Sequence, residues 1–139
     1  MKKRLQEWKF PNFDENGMTK WNWICQHYEK LKLGNFVDIG AFSYINSAYG
    51  VDIGENVQIG SHCSIYSLST IDNKEGKVEI RHGSRIGSHS TIMPSITIGE
   101  FSIIGAHSFV NIDIPPKVLA YGVPVKIIRK LTEQELESI

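Results

Sequence analysis

The chain of 139 residues lacks an excess of either charge: fifteen basic side chains face fifteen acidic ones, and the formal net charge is zero. Nothing in that balance draws nucleic acid or an anionic membrane, and neither is expected as a partner. Cysteine is scarce. Cys25 and Cys63 stand at no metal-ligand spacing, so free thiols in a reducing compartment are expected. No apolar run approaches the ~18 residues of a membrane span, which argues against insertion. The basic opening Met1-Lys2-Lys3-Arg4 leads into no apolar segment, so no secretory signal is read and the cytoplasm is the expected location. A chain of this length suits one domain.

What the chain does have is a period of six. Leu33, Ile39 and Ile45 are six apart, as are Ile53, Ile59, Ile65 and Ile71, and again Ile80, Ile86, Ile92, Ile98, Ile104 and Val110. Two gaps break step, eight residues from Ile45 to Ile53 and nine from Ile71 to Ile80. Neither a strand nor an α-helix repeats at six, but a short flat strand followed by a turn of about a third of a circle does. Three such strands close one coil, and coils stack at the ~4.8 Å spacing of neighbouring strands. Four residues after the aliphatic come inward corner positions, mostly small: Ser43, Cys63, Ser69, Ser84, Ser90, Ser102 and Ser108, with Val37, Val57 and Ile96 larger. The residue after the aliphatic is Gly at seven places, as a strand entering a crowded turn requires.

These hexapeptides, with Ile98-Gly99, Ile104-Gly105-Ala106, Ile114-Pro115-Pro116 and the tail Gly122-Val123-Pro124-Val125-Lys126-Ile127-Ile128-Arg129, resemble the left-handed β-helix acyltransferases. The closing segment is similar to that of the sugar O- and N-acetyltransferases. The resemblance implies an all-β fold, a left-handed parallel β-helix of hexapeptide repeats, acetyl-CoA as co-substrate with no metal, and a homotrimer with sites between subunits.

The expected organisation within one domain is a cap segment over 1–32, the β-helix over 33–121 and a tail over 122–139. Thr19 is placed to cap a helix from Lys20 to about Lys32, with Trp21, Ile24, Cys25, Tyr28 and Leu31 as its apolar stripe. Its aromatic residues are read as a plug over an open coil end. Thr132-Glu133-Gln134-Glu135 is a capping box for a short final helix. The eight-residue gap leaves a small loop at 47–50. The nine-residue gap leaves a polar one at 72–77, where relatives often carry a catalytic histidine; here Thr70 and Asp72 stand in that place.

Acetyl transfer needs a base, oxyanion donors and a groove for the pantetheine arm. Histidine is the natural base near neutral pH. His62, His89 and His107 each occupy the fourth position of a hexapeptide, an outward corner. The eighteen residues between His89 and His107 place them one coil apart on the same corner. The same arithmetic puts His62 on the preceding corner, above Phe42 and below Gly83. His89 is ranked first as base and His62 second. By motif match, the resemblance implies Ser88 and Ala106 along the pantetheine arm, Lys126 and Arg129 at the CoA phosphates, and Asn111 where relatives place a Thr-Lys pair. It also implies Asn46 as an acceptor contact; Asp72, standing where relatives place the loop histidine, is the second candidate for substrate binding.

The expected reaction is acetyl transfer from acetyl-CoA to a sugar, first the amine of a nucleotide-linked amino sugar used for lipopolysaccharide or capsule, and alternatively a sugar hydroxyl. Two other classes share the coil: a metal-dependent carbonic anhydrase-like hydratase, for which His82 with His89 is a poor ligand pair, and a non-catalytic β-helix.

Overall fold

The structure, a computed structural model, describes residues 7–139. Short strands wind into a three-sided prism, one strand per side per coil. Face I holds Ile24–Gln26, Tyr44–Asn46, Ser64–Tyr66, Thr91–Ile92 and Phe109–Val110, each paired in parallel with the one a coil later. Face II holds Leu31–Leu33, Val51–Ile53, Val78–Ile80 and Thr97–Ile98, extended by a bridge to Ile114. Face III holds Asp38–Ile39, Gln58–Ile59, Arg85–Ile86, Ile103–Ile104 and Val118–Tyr121, and closes with the antiparallel strand Lys126–Lys130. Among the parallel strands none pairs with its neighbour in sequence, so the coil is the unit of repetition; consecutive strands pair only where the chain runs antiparallel, as at Val118–Tyr121 with Lys126–Lys130.

The periodic aliphatics form three inward columns. On face I, Cys25, Ile45, Ile65, Ile92 and Val110 are in register and almost fully enclosed. Serine at the inward corners has a polar reason. Ser43 Oγ donates to Gly60 O and accepts from Cys63 N–H, and Ser102 Oγ likewise joins Pro115 O to Val118 N–H. Each buried hydroxyl thus satisfies backbone groups a tight corner leaves unpaired. Glycine at the strand exits lets coils approach: a Cβ on Gly60 would overlap the backbone of Ser88.

Two expectations are corrected. The helix over Lys20–Lys32 does not form. The segment instead makes a turn, the strand Ile24–Gln26, a single 3-10 turn Tyr28–Lys30 and the strand Leu31–Leu33. Thr19 caps nothing; its hydroxyl donates to Trp23 O across that turn. The prism therefore begins at Ile24, before the expected boundary at 33. Cys25 precedes Leu33 by eight residues as Ile45 precedes Ile53, so the first coil repeats the second, and pairing with Tyr44–Asn46 overrides the helical stripe. The plug consists of Trp23, buried against the core, with Phe13 edge-on to it and stacked on Tyr28. The basic opening Met1–Arg4 lies outside the described residues.

The second correction concerns Ile71, which is 95% exposed and belongs to no inward column. Face I gives way to face II between Ile65 and Ile80, fifteen residues against eight in the coil below, and the seven extra residues project as an antiparallel hairpin, Leu68–Ser69 with Lys74–Glu75. Ser69, expected inward, is in that hairpin and bonds Asp72. The tail behaves as expected: Thr132 and Glu135 form the capping box of a helix over Glu133–Glu137. Among the described residues no helix is long and apolar enough to cross a membrane.

Candidate functional site

The seven extra residues realign the histidines. His62 and His89 differ by twenty-seven, which is one coil once the hairpin is counted, and His89 N–H donates to Ser61 O directly beneath. His62 therefore shares the corner of His89 and His107, between faces III and I. Its expected place on the preceding corner is wrong because Ile71 is not a column residue. The three imidazoles form one stack, with ring centroids 4.6 Å apart for His62 and His89 and 4.8 Å for His89 and His107, planes within 7° and 6° of parallel. Phe42 continues the stack below at 5.2 Å. All lie outside the prism, exposed to solvent.

Corner geometry produces this alignment. Asn22, Phe42, His62, His89 and His107 all have φ between 57° and 65°, the left-handed conformation that turns the chain through the corner and throws the side chain outward. Equal backbones repeated every coil project rings at strand spacing, close to the distance at which aromatic faces stack.

A groove of about 570 Å³ runs beside the stack on face III. Its lining includes Gly60, Ser61, Gly87, Gly105 and Ala106, with Gln58 and Arg85 at its far edge. The glycine N–H groups are spent on the next coil, but the small side chains leave room for a thin flexible chain, the shape of a pantetheine arm. Ala106 lies in this lining, and Ser88 is one coil beneath it, immediately before His89.

The other expected site residues are distributed elsewhere. Asn46 ends its strand at the opposite edge of face I, four residues past the corner and thus ~13 Å from the histidine stack within one chain. Its Oδ1 accepts from Ala48 N–H, a turn bond, while Nδ2 faces the Tyr44 hydroxyl at 3.4 Å. Tyr44 also donates to Gln26 Oε1 and packs against Tyr66 at 5.6 Å, a polar aromatic row that the sequence reading missed. Its signal was the residue flanking each face I aliphatic. Asp72 sits in the hairpin, accepting from Ser69 Oγ and paired with Lys74 at 3.4 Å; the Ser69 hydrogen bond first, then Lys74, holds its carboxyl below the usual range. Asn111 lies on the corner between faces I and II, beside Asn73 and Lys74, away from Ser88 and Ala106. Lys126 and Arg129 lie on the closing strand of face III. Arg129 is engaged in a two-pronged pair with Glu135, at 2.7 and 3.0 Å, which holds that carboxyl at about 2.

Cys63 is a wall residue. Its thiol donates to Gly87 O, and burial pushes it above its ordinary value. Among the described residues no three metal-ligating side chains converge.

No family model matches the chain. Individual relatives do. It is 35% identical over 117 residues to the galactoside O-acetyltransferase of Escherichia coli K12, an alignment covering 73% of this chain and 58% of that protein. The crystal structure of a Vibrio cholerae hexapeptide-repeat-containing acetyltransferase complexed with acetyl coenzyme A superposes with a TM-score of 0.75 at 27% identity, over 80% of this chain and 66% of that one. A galactoside acetyltransferase in complex with coenzyme A gives 0.73 at 29% identity, over 81% and 60%. The chain thus spans under two thirds of each of these proteins. The stacked hexapeptide coils and small-residue groove define the left-handed parallel β-helix class. Within it, the chain belongs to the hexapeptide-repeat acetyltransferase family.

Proposed function

We propose that the chain transfers the acetyl group of acetyl-CoA to a sugar, first of all the amine of a nucleotide-linked amino sugar destined for surface polysaccharide, in a cytoplasmic homotrimer. The observation that carries the reading is the histidine stack beside a groove of small residues. Pantetheine threads past Gly87, Ala106 and the backbone of Ser88, bringing the thioester to the level of His89. The acceptor nitrogen attacks the thioester carbonyl while His89 takes its proton. The C–S bond of the tetrahedral intermediate then breaks, and the leaving thiolate receives the proton from the imidazole. The corner N–H groups of His62, His89 and His107 are already donated to the coil beneath, which leaves those of Ser61, Ser88 and Ala106 as the oxyanion donors. Asn46, Tyr44 and Asp72 come from the far edge of face I, so a neighbouring subunit completes the site.

The hairpin at 67–77 contains no histidine, which favours an amine over a hydroxyl. An amine attacks with its own lone pair once deprotonated, whereas a hydroxyl needs its proton removed as the bond forms. Release of free thiol from acetyl-CoA over a panel of amino sugars and neutral sugars, the free sugars beside their nucleotide-linked forms, tests the reading. Acceptance of nucleotide-linked amino sugars supports it. Thiol release with neutral sugars alone makes the chain an O-acetyltransferase, and no acceptor-dependent release with any sugar overturns the proposal.

A further inference from the structure

The corner between faces II and III has the same backbone as the histidine corner and the opposite outline. Its left-handed positions are Phe36, Asn56, Gly83, Phe101 and Lys117. Two phenyl rings are separated by an amide and a glycine, which leaves a notch where the other corner is filled. That notch is a groove of about 550 Å³, lined by Phe36, Asn56, Gln58, His82, Arg85 and Phe101, with Glu55, Ser138 and Ile139 also in its wall. His82 meets Phe101 edge-on at 4.6 Å, which fixes the upper wall.

Arg85 is in the floor, shared with the small-residue groove beside the histidines. Among the described residues Arg81 pairs with Glu79 and Arg129 with Glu135, while Arg85 has no carboxylate partner. One guanidinium N–H donates to Asn56 O at 3.1 Å, and the group is half-buried. Burial pushes it below the usual arginine range with no charge to offset it. A half-buried cation without a counter-ion is costly, and an arginine fork matches phosphate oxygens in shape and charge.

We infer that this notch receives a nucleoside phosphate, its base between the Phe36 and Phe101 rings and its phosphate on Arg85. This deepens the acetyltransferase reading and rests on it for the two molecules that could bring such a group, coenzyme A and a nucleotide-linked acceptor. The groove joins the notch to the histidine stack through Arg85, so either ligand reaches the same reacting centre.

The experiment is calorimetric titration of the full chain with coenzyme A, uridine diphosphate and thymidine diphosphate, repeated on Arg85→Met, Arg85→Lys and Phe101→Leu, each first shown to melt cooperatively. The expected result is a loss of about tenfold or more in affinity for at least one nucleotide in Arg85→Met, an intermediate loss in Arg85→Lys, and about threefold in Phe101→Leu. Loss confined to the diphosphates assigns the notch to the acceptor, and loss confined to coenzyme A assigns it to the donor. A native chain that binds none of the three, or affinities within twofold across all variants, overturns the inference. Binding is read without turnover, so the result stands apart from whether the chain transfers an acetyl group.

Discussion

Two corners of one prism share a backbone and differ in what they carry. Between faces III and I the left-handed positions read Asn22, Phe42, His62, His89, His107; between faces II and III they read Phe36, Asn56, Gly83, Phe101, Lys117. The first is a continuous ring stack from Phe42 upward, with gaps of 4.6 to 5.2 Å. The second has rings above and below an open notch. In a coil that repeats its geometry, shape and chemistry are written by single residues at equivalent positions, one per coil. Chemistry is assigned to the filled corner and binding to the open one, and that division is what substitutions can test.

The largest effect is expected on the filled corner. His89→Ala removes the middle ring and the proposed base, so turnover measured by thiol release falls about a hundredfold or more, while melting changes little because the side chain is exposed. His107→Ala, at the top of the same stack, is expected to cost far less. If His89→Ala turns over nearly normally, the filled corner loses its catalytic assignment and His62 takes its place.

On the open corner the expected effect is structural. Gly83 has φ +73°, and a Cβ there would strike the Phe101 ring. Gly83→Ala should therefore cost about 1–2 kcal/mol from the left-handed backbone, plus the displacement of that ring, visible as several degrees of melting temperature. Phenylalanine and histidine occupy the equivalent positions of the other corner without such a clash. An unchanged melting point would mean that Phe101 moves freely and that the notch has no fixed upper wall.

The period of six made the coil readable, together with its three inward columns and the capping box at Thr132. It failed where a surface residue fell on the period by chance. Ile71 is six past Ile65, so the sequence appeared to hold an inward residue and a loop of six, whereas the chain leaves the coil at Ser67 and returns at Val78. That one slip moved His62 a whole corner from its true place. The missing start of the coil has a similar cause. Cys25 fills an isoleucine slot, and a lone cysteine amid Trp, Tyr and Leu at three-and-four spacing imitates a helix. The notch was beyond reach from sequence, because it is an absence of side chain between two rings three coils apart, visible only once the coils are in register. Arg129 was legible as a cation but not as one already held by Glu135.

That pair gives a smaller, pH-dependent effect, on the face both corners share. Glu135 has its carboxyl held at about 2 against an ordinary 4.5, chiefly by the Arg129 hydrogen bonds. A depressed carboxylate contributes stability in full above its unfolded value and loses it as pH falls from about 4.5 toward 2. Both groups are exposed, so the contribution is small. The melting temperature of the native chain should exceed that of Glu135→Gln by a little at pH 6, and the difference should close in that acid window. A constant difference down to pH 2 would show that Glu135 acts through its cap on Thr132 rather than through its charge. If Arg129 instead meets coenzyme A, the ligand must compete with this carboxylate, and Glu135→Gln should tighten binding.

The smallest expected effect tests the hairpin that aligns the histidines. Ile71 is 95% exposed, so Ile71→Ser removes almost no buried apolar area and should leave stability within about 0.5 kcal/mol of the native chain. Ile80, the residue on which the chain re-enters face II, is fully enclosed at 1% exposure, and the same change there leaves a cavity with a hydroxyl in it. The contrast decides the register independently of any activity. Were Ile71 a column residue, the coil would close six residues sooner, His62 would lie beneath Gly83, and the two substitutions would cost the same. Only with Ile71 outside the core does His62 fall beneath His89, and only then are three imidazoles available along one groove.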